Sequence, residues 1–327
     1  MSARLEHELS LENKCKEKLK NLPDYMTEFY YYLSSQGKQA TTKKAYLEHV
    51  DNFLRFISPD YSVDLADITP LMIDEYMGSL VYKNKHKTSP STRATRLSAI
   101  KLFFNMLTTR NYIENNPTKN TMRPKAAKLK PVVYLSKEEI EIVEQNISEG
   151  VGSNRAQNYQ AKWKNRDLAL VFIALSTGVR VESLIEIDID DINFETAELT
   201  VIDKGEKEYV HELPDITMYH IINWLEDREK LLKSERTKAL FISTRRKRLG
   251  VQGVRNLIKK YTYNIDKKIT PHKLRSTFAT TLYEQTQDIY LVAEVIGHEN
   301  VNTTKRYAAI SGDTKSKVKR IMQETLG

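Results

Sequence analysis

The chain has 327 residues, 40% hydrophobic and 29% charged, the composition of a globular protein long enough for two cores. Its longest unbroken apolar run, Leu168–Leu175, is far too short to span a bilayer, and the single cysteine, Cys15, excludes a disulfide framework or a cysteine-built zinc cluster. A formal net charge of +8 favours a polyanionic partner.

The opening residues M-S-A-R-L-E-H-E mix charges and lack the apolar stretch of a secretory signal, so a cytoplasmic, nucleoid-associated protein without membrane contact is expected. Residues 1–23 read as a charged, weakly amphipathic extension, compatible with a helix, that carries no further information. From Asp24 the pattern is helical. A first helix holds Tyr25, Phe29, Tyr32 and Leu33. A second, capped by Thr41 or Thr42, presents Tyr46, Val50, Phe53, Leu54 and Ile57 on one face. Thr69-Pro70 opens a third through Leu71, Ile73, Tyr76 and Leu80. After the basic loop Lys83–Lys87, Ser91 starts a long fourth helix that buries Leu97, Ile100, Phe104 and Leu107. Residues 24–116 thus form a four-helix domain without strand signals. Residues 117–133 carry three prolines, five basic residues and no acid, which predicts an extended linker able to neutralise phosphates without reading sequence.

The second domain, 134–327, opens on the capping box Ser136–Glu139. Residues 165–176 are too apolar for a surface helix and cross the core, breaking at Gly178. Ile192–Phe194, Glu198–Ile202 and Glu208–Leu213 read as three short strands joined by tight turns, the second being Asp203-Lys204-Gly205. Helices resume over 216–232 and 252–261. Arg245–Arg248 is either a solvated basic loop or a phosphate contact. Asp188, Asp190 and Asp191 lack the glycine and distal acid of a calcium loop and read as solvated strand ends. His211 reads as an ordinary strand residue, because Pro214 forbids a helical metal motif there.

The most informative stretch is the last. Thr270-Pro271 caps and opens a helix whose Leu274, Phe278 and Leu282 form a buried stripe. His272 and Arg275 share a face of its first turn, where free N–H groups and the helix dipole already favour an anion. Asp288 caps a second helix, carrying Ile289, Val292, Val295 and Ile296, which stops at Gly297. His298 follows at once, and Tyr307 comes nine residues later.

This His-x-x-Arg, Gly-His, Tyr pattern resembles the active-site signature of tyrosine recombinases, the phage integrase family. The family's further arginine, in T-G-x-R, matches Thr177–Arg180, and its turn lysine matches Lys204, although Lys207 lies on the same turn. Two departures stand out. Asp203 replaces the first glycine of the turn. After Arg180 the order is V-E-S-L rather than x-S-E-L, so the acid that supports the arginine is either Glu182, from a shifted position, or another group. The resemblance implies a mostly α protein with a small antiparallel sheet: a helical SAM-like core-binding domain and a mixed α+β catalytic domain in a simple, Xer-like architecture.

It also implies site-specific strand exchange in double-stranded DNA through a 3′-phosphotyrosine. Arg180 and Arg275 would hold the phosphate, because a guanidinium offers a planar fork of donors and keeps its charge. His272 and His298 would add hydrogen bonds, Tyr307 would attack, and Lys204 would protonate the leaving 5′ oxygen. The covalent link stores the energy of the broken bond, so neither cofactor nor metal is expected. Four copies would assemble on two sites, with accessory DNA-bending or directionality factors as further partners. A helix within 308–326 would dock on a neighbour or on its own protomer. The rival readings are a type IB topoisomerase and a non-catalytic DNA-binding protein.

Overall fold

The computed structural model describes residues 3–83, 86–125, 131–203, 207–232 and 237–297, together with residues 304 and 307. Lys204, His298 and the C-terminal helix expected within 308–326 lie outside the described residues. The chain divides into two compact units, Met1–Lys130 and Pro131–Gly327.

The first unit is built on α1 (Ala3–Leu19), α2 (Asp24–Ser35), α3 (Ala40–Ile57), α4 (Pro70–Ser79) and α5 (Pro90–Thr109), with a two-stranded ribbon of β1 (Tyr82–Lys83) and β2 (His86–Lys87) before α5. Its centre is aromatic. Phe29 meets Phe103 edge-on at 5.3 Å, and Phe53 meets Tyr76 at 5.3 Å and Phe104 at 6.0 Å, geometries that add to the area these rings bury.

Several sequence expectations are corrected here. The opening residues do form a helix, and it is informative: Cys15 and Leu19 of α1 are buried in the core. Glu12 forms an ion pair with Lys43 of α3, and Lys18 reaches Asp51 at 2.8 Å. Burial works against the charge of Glu12, yet hydrogen bonds from Lys43 and Tyr30 hold its carboxyl below the usual range. The ribbon gives this unit two short strands where none were expected. Helix α3 starts at Ala40 behind Gln39, without a side-chain cap, so Thr41 and Thr42 lie inside it. Helix α5 starts at Pro90, because Ser89 is followed by the proline that suits the first helical position, and its Oγ accepts from the Thr92 N–H at 3.1 Å. Thr118 is buried, and Lys101 donates to the Thr121 carbonyl at 2.8 Å, so the stretch after Pro117 begins as a turn held by α5 rather than as extended chain.

The second unit comprises α6 (Lys137–Glu149), α7 (Asn154–Ala161), α8 (Lys164–Thr177), α9 (Val181–Glu186), the antiparallel sheet β3 (Ile192–Asn193), β4 (Glu198–Ile202) and β5 (Glu208–Glu212), then α10 (Asp215–Leu232), α11 (Val251–Tyr261), α12 (Pro271–Thr286) and α13 (Ile289–Val295). It is thus the mostly helical fold with a small antiparallel sheet that the sequence implies. Helix α7, capped by Ser153, had no counterpart in the sequence reading.

Helix α8 runs through the core between α10 and α12. Its Asp167 is fully buried and receives Nε and Nη2 of Arg166 at 2.8 and 2.6 Å and the Tyr261 hydroxyl at 2.9 Å. That arrangement satisfies a carboxylate which burial alone would expel. The helix ends on Gly178, left-handed at φ 64°, which turns the chain sharply towards Arg180 and α9. Strands β4 and β5 pair Leu199 with His211 and Val201 with Tyr209. Alternation therefore puts His211 and Tyr209 on the face that Leu199 and Val201 bury.

Candidate active site

Arg275, the fifth residue of α12, is 3% exposed, and its head finds backbone acceptors. Nη1 donates to the Gly178 carbonyl at 2.7 Å, and Nη2 donates to the Ile296 carbonyl at the end of α13. Arg180 precedes α9. Its Nη1 pairs with Asp203, and its Nη2 donates to the next carbonyl, that of Gly297, at 3.4 Å. The two arginines, 95 residues apart in sequence, thus converge on adjacent carbonyls just before His298. Two of the five N–H donors of Arg180 are used by these bonds.

Three glycine and side-chain details hold this corner. A Cβ on Gly178 would meet the Phe278 ring, with Cγ and Cε1 at 3.0 and 3.1 Å. Gly297, at φ 61°, lies so near β5 that a Cβ would sit 2.7 Å from the Tyr209 hydroxyl. The Ser183 hydroxyl donates to the second oxygen of Asp203 at 3.2 Å.

His272 lies one turn before Arg275 on α12 and is exposed; its carbonyl accepts from the Ser276 hydroxyl at 3.0 Å. Thr270 occupies the N-cap position of α12 without a side-chain cap bond. Tyr307 is 1% exposed and packs with Ala279 of α12 and Val292 and Ile296 of α13, so it lies against the helix end whose carbonyls the arginines hold. The structure therefore brings Arg180, Arg275 and Tyr307 to one corner, with His272 a turn away. The Asp203 N–H donates to the Lys207 carbonyl at 2.8 Å, and Lys204, between them in sequence, lies outside the described residues.

Three residues of this corner were not assigned a role from the sequence. In the sequence Asp203 stands out only as a departure from a turn glycine, but the alternation Leu199, Val201, Asp203 continues the buried face of β4. Tyr209 and His211 extend the same face from β5. With Asp203 and Arg275 they line a cavity of about 10 Å³, room for roughly one water. Burial, then the charge of Arg275, depresses the His211 pKa and keeps the imidazole neutral. Elsewhere, Arg248 of the basic cluster is structural: it pairs with Asp188 and donates to the Ile185 carbonyl at 2.9 Å. Asp190 receives Lys238 at 2.7 Å. Among the described residues no helix is long and apolar enough to cross a membrane.

Residues 134–313 match the phage integrase family, and residues 25–114 match the phage integrase N-terminal SAM-like domain. The tyrosine recombinase XerC of Caldanaerobacter subterraneus subsp. tengcongensis is 31% identical over 88% of this chain and 83% of its own. The tyrosine recombinase XerS of Streptococcus thermophilus is 28% identical over 94% of this chain and 98% of its own. In fold, the chain resembles the XerH site-specific recombinase in its post-cleavage complex with difH, with a TM-score of 0.68 at 21% identity over 89% of this chain and 80% of that one. A cationic corner of two motif arginines beside a terminal tyrosine, on a chain related to recombinases over nearly its whole length, has one reading: the chain belongs to the phage integrase family and is a tyrosine site-specific recombinase, an enzyme that breaks and rejoins DNA.

Proposed function

We propose that Tyr307 is the nucleophile and that Arg180, Lys204, His272, Arg275 and His298 are the groups that activate the phosphodiester for it. The observation that carries this reading is the convergence of the Arg180 and Arg275 guanidinia on the Ile296 and Gly297 carbonyls, beside the helix end that packs Tyr307. Two fixed cationic forks stabilise the extra charge on the non-bridging oxygens of a pentacoordinate phosphorus, where donors lower the barrier most. Tyr307 attacks phosphorus to form a 3′-phosphotyrosine and release a 5′ hydroxyl. Lys204 gives the leaving oxygen its proton, and His272 assists proton transfer from the phenol. The 5′ hydroxyl of a second duplex then attacks the phosphotyrosine and restores the tyrosine. In this scheme residues 24–116 grip the duplex, the basic segment 117–133 follows the phosphates, and 134–327 perform the chemistry. Four copies act on two sites, with DNA-bending or directionality factors setting the outcome.

The test is to incubate the purified protein with DNA from the junctions that flank its own gene and map the covalent adduct. Wild type should form an SDS-stable, protease-sensitive adduct to a 3′ phosphate, and Tyr307→Phe should bind the same DNA but form none. An adduct from Tyr307→Phe would move the nucleophile elsewhere. Relaxation of supercoiled DNA without a preferred site or partner duplex would replace strand exchange by topoisomerase action.

A further inference from the structure

We infer that Asp203 is the positioning residue for Arg180, taking the place of an acid on α9, and that it ties this arginine to the turn that carries Lys204. The inference rests on the catalytic roles proposed above. Three observations support it. Arg180 forms its ion pair with Asp203, whose side chain is 9% exposed against 28% for the arginine. The neighbouring acid in the sequence, Glu182, points the other way: it is exposed on α9. The next residue, Ser183, turns inward and is buried, and its hydroxyl donates to Asp203 Oδ1, leaving Oδ2 for Arg180.

The arrangement has a clear physical purpose. Arg275, 3% exposed, and Arg180 approach adjacent carbonyls, so two like charges share one corner. A buried carboxylate offsets that repulsion, and because Ser183 orients it, it also fixes where the guanidinium lies. With Nη1 held by Asp203 and Nη2 drawn to the Gly297 carbonyl, the plane of the Arg180 fork is set before any phosphate arrives. Asp203 is also the first residue of the turn, its N–H bonded to the Lys207 carbonyl. One side chain therefore joins the arginine to the base of the loop bearing the proposed general acid.

The geometry also shows how the acid can be relocated. Residue 183 faces the same spot, since its Oγ already lies 3.2 Å from the carboxylate. A glutamate there reaches Arg180 when the aspartate is gone. Asp203→Asn should keep the fold and bind DNA with nearly unchanged affinity, yet form the Tyr307 adduct about 10- to 100-fold more slowly, the cost of a misplaced catalytic group. Ser183→Glu/Asp203→Ala should recover most of the wild-type rate, whereas Asp203→Ala alone stays slow. Glu182→Gln should cleave at the wild-type rate. Circular-dichroism melting and a DNA-binding titration accompany each variant. Rescue by the relocated acid is the outcome that a merely structural role does not produce.

Asp203→Asn cleaving at the wild-type rate, or Glu182→Gln slowing as Asp203→Asn does, overturns the assignment. Should Asp203→Asn fail to fold, Ser183→Glu/Asp203→Ala decides: folded and active supports it, folded and inactive overturns it. A wild-type protein that forms no Tyr307-dependent adduct removes the proposed catalytic roles, and this inference with them. An active wild type with an unimpaired Asp203→Asn removes this inference alone.

Discussion

Gly178 offers the sharpest test of how the site is held, because it ends α8, lends its carbonyl to Arg275 and faces Phe278. Gly178→Ala makes two separable demands. The left-handed conformation at φ 64° costs an L-residue about 1–2 kcal/mol. The new methyl also falls on the Phe278 ring, with Cγ and Cε1 only 3.0 and 3.1 Å away. Overpacking of that kind costs about 1–3 kcal/mol, so the two together remove about 2–5 kcal/mol from a fold whose total stability is typically about 5–15 kcal/mol. The assay is urea unfolding followed by tryptophan fluorescence. Both tryptophans, Trp163 and Trp224, are buried in the second unit, so the signal reads that unit alone. In a Phe278→Ala background only the backbone demand should remain, and the two substitutions should then be less damaging together than their separate costs imply. A loss below about 1 kcal/mol for Gly178→Ala, or additivity within about 0.5 kcal/mol, would refute the reasoning.

Lys204→Ala should cleave ordinary DNA about a hundred-fold more slowly and regain most of its rate when sulfur replaces the 5′ bridging oxygen, because a thiolate leaves without a proton; rescue of Lys207→Ala instead would shift the general acid by three residues. Strand cleavage should proceed in excess EDTA, since the proposed positive groups are all side chains, and a strict magnesium requirement in the cleavage step would contradict the mechanism. Asp167→Asn should destabilise the second unit by about 3–5 kcal/mol in the same urea assay, because it leaves the buried Arg166 guanidinium without its anion; a loss under 1 kcal/mol would mean that the Ile242 carbonyl suffices. Burial depresses His220 and His211 below the unfolded imidazole value, so the unfolded chain takes up more protons as pH falls. Stability should be full above about pH 6.5 and decline below it, and the urea midpoint at pH 5.5 against 7.5 checks this; His220→Phe, which leaves the Phe172 ring a stacking partner, should shallow the decline.

Much of this architecture can be read from residue order, and the failures have physical causes. Pro271, Ser136–Glu139 and Gly178 mark helix ends because each supplies a bond or a dihedral that the neighbouring chain lacks. The strands 198–202 and 208–212 show because Val201, Ile202, Tyr209 and Val210, residue types that suit a pleated surface, cluster there on either side of a turn. The core role of helix α1 is not legible because its apolar positions are sparse among charges and one of them is Cys15, which behaves as a small hydrophobe at 1% exposure. The motif arginines are legible, but what they grip is not: the carbonyls of Gly178, Ile296 and Gly297 belong to every residue type alike. Asp203 lies between these cases. Its place on the buried face follows from Leu199 and Val201, whereas its partnership with Arg180 needs two segments 23 residues apart to meet.

The packing of α1 sets a limit on how the protein can be cut down. A fragment begun at Asp24 would match where the N-terminal domain similarity starts, at residue 25. It would also strip Cys15 and Leu19 from the core they share with α3, leaving an oily strip on the helix that carries Val50 and Phe53. Lys43, 7% exposed, would lose the carboxylate of Glu12, and Asp51 would lose Lys18. Such a fragment should self-associate at concentrations where the full chain stays dispersed. A shortened protein meant for DNA-binding work therefore has to keep α1, and a purification tag belongs ahead of Ala3 on a spacer rather than in place of the first turns.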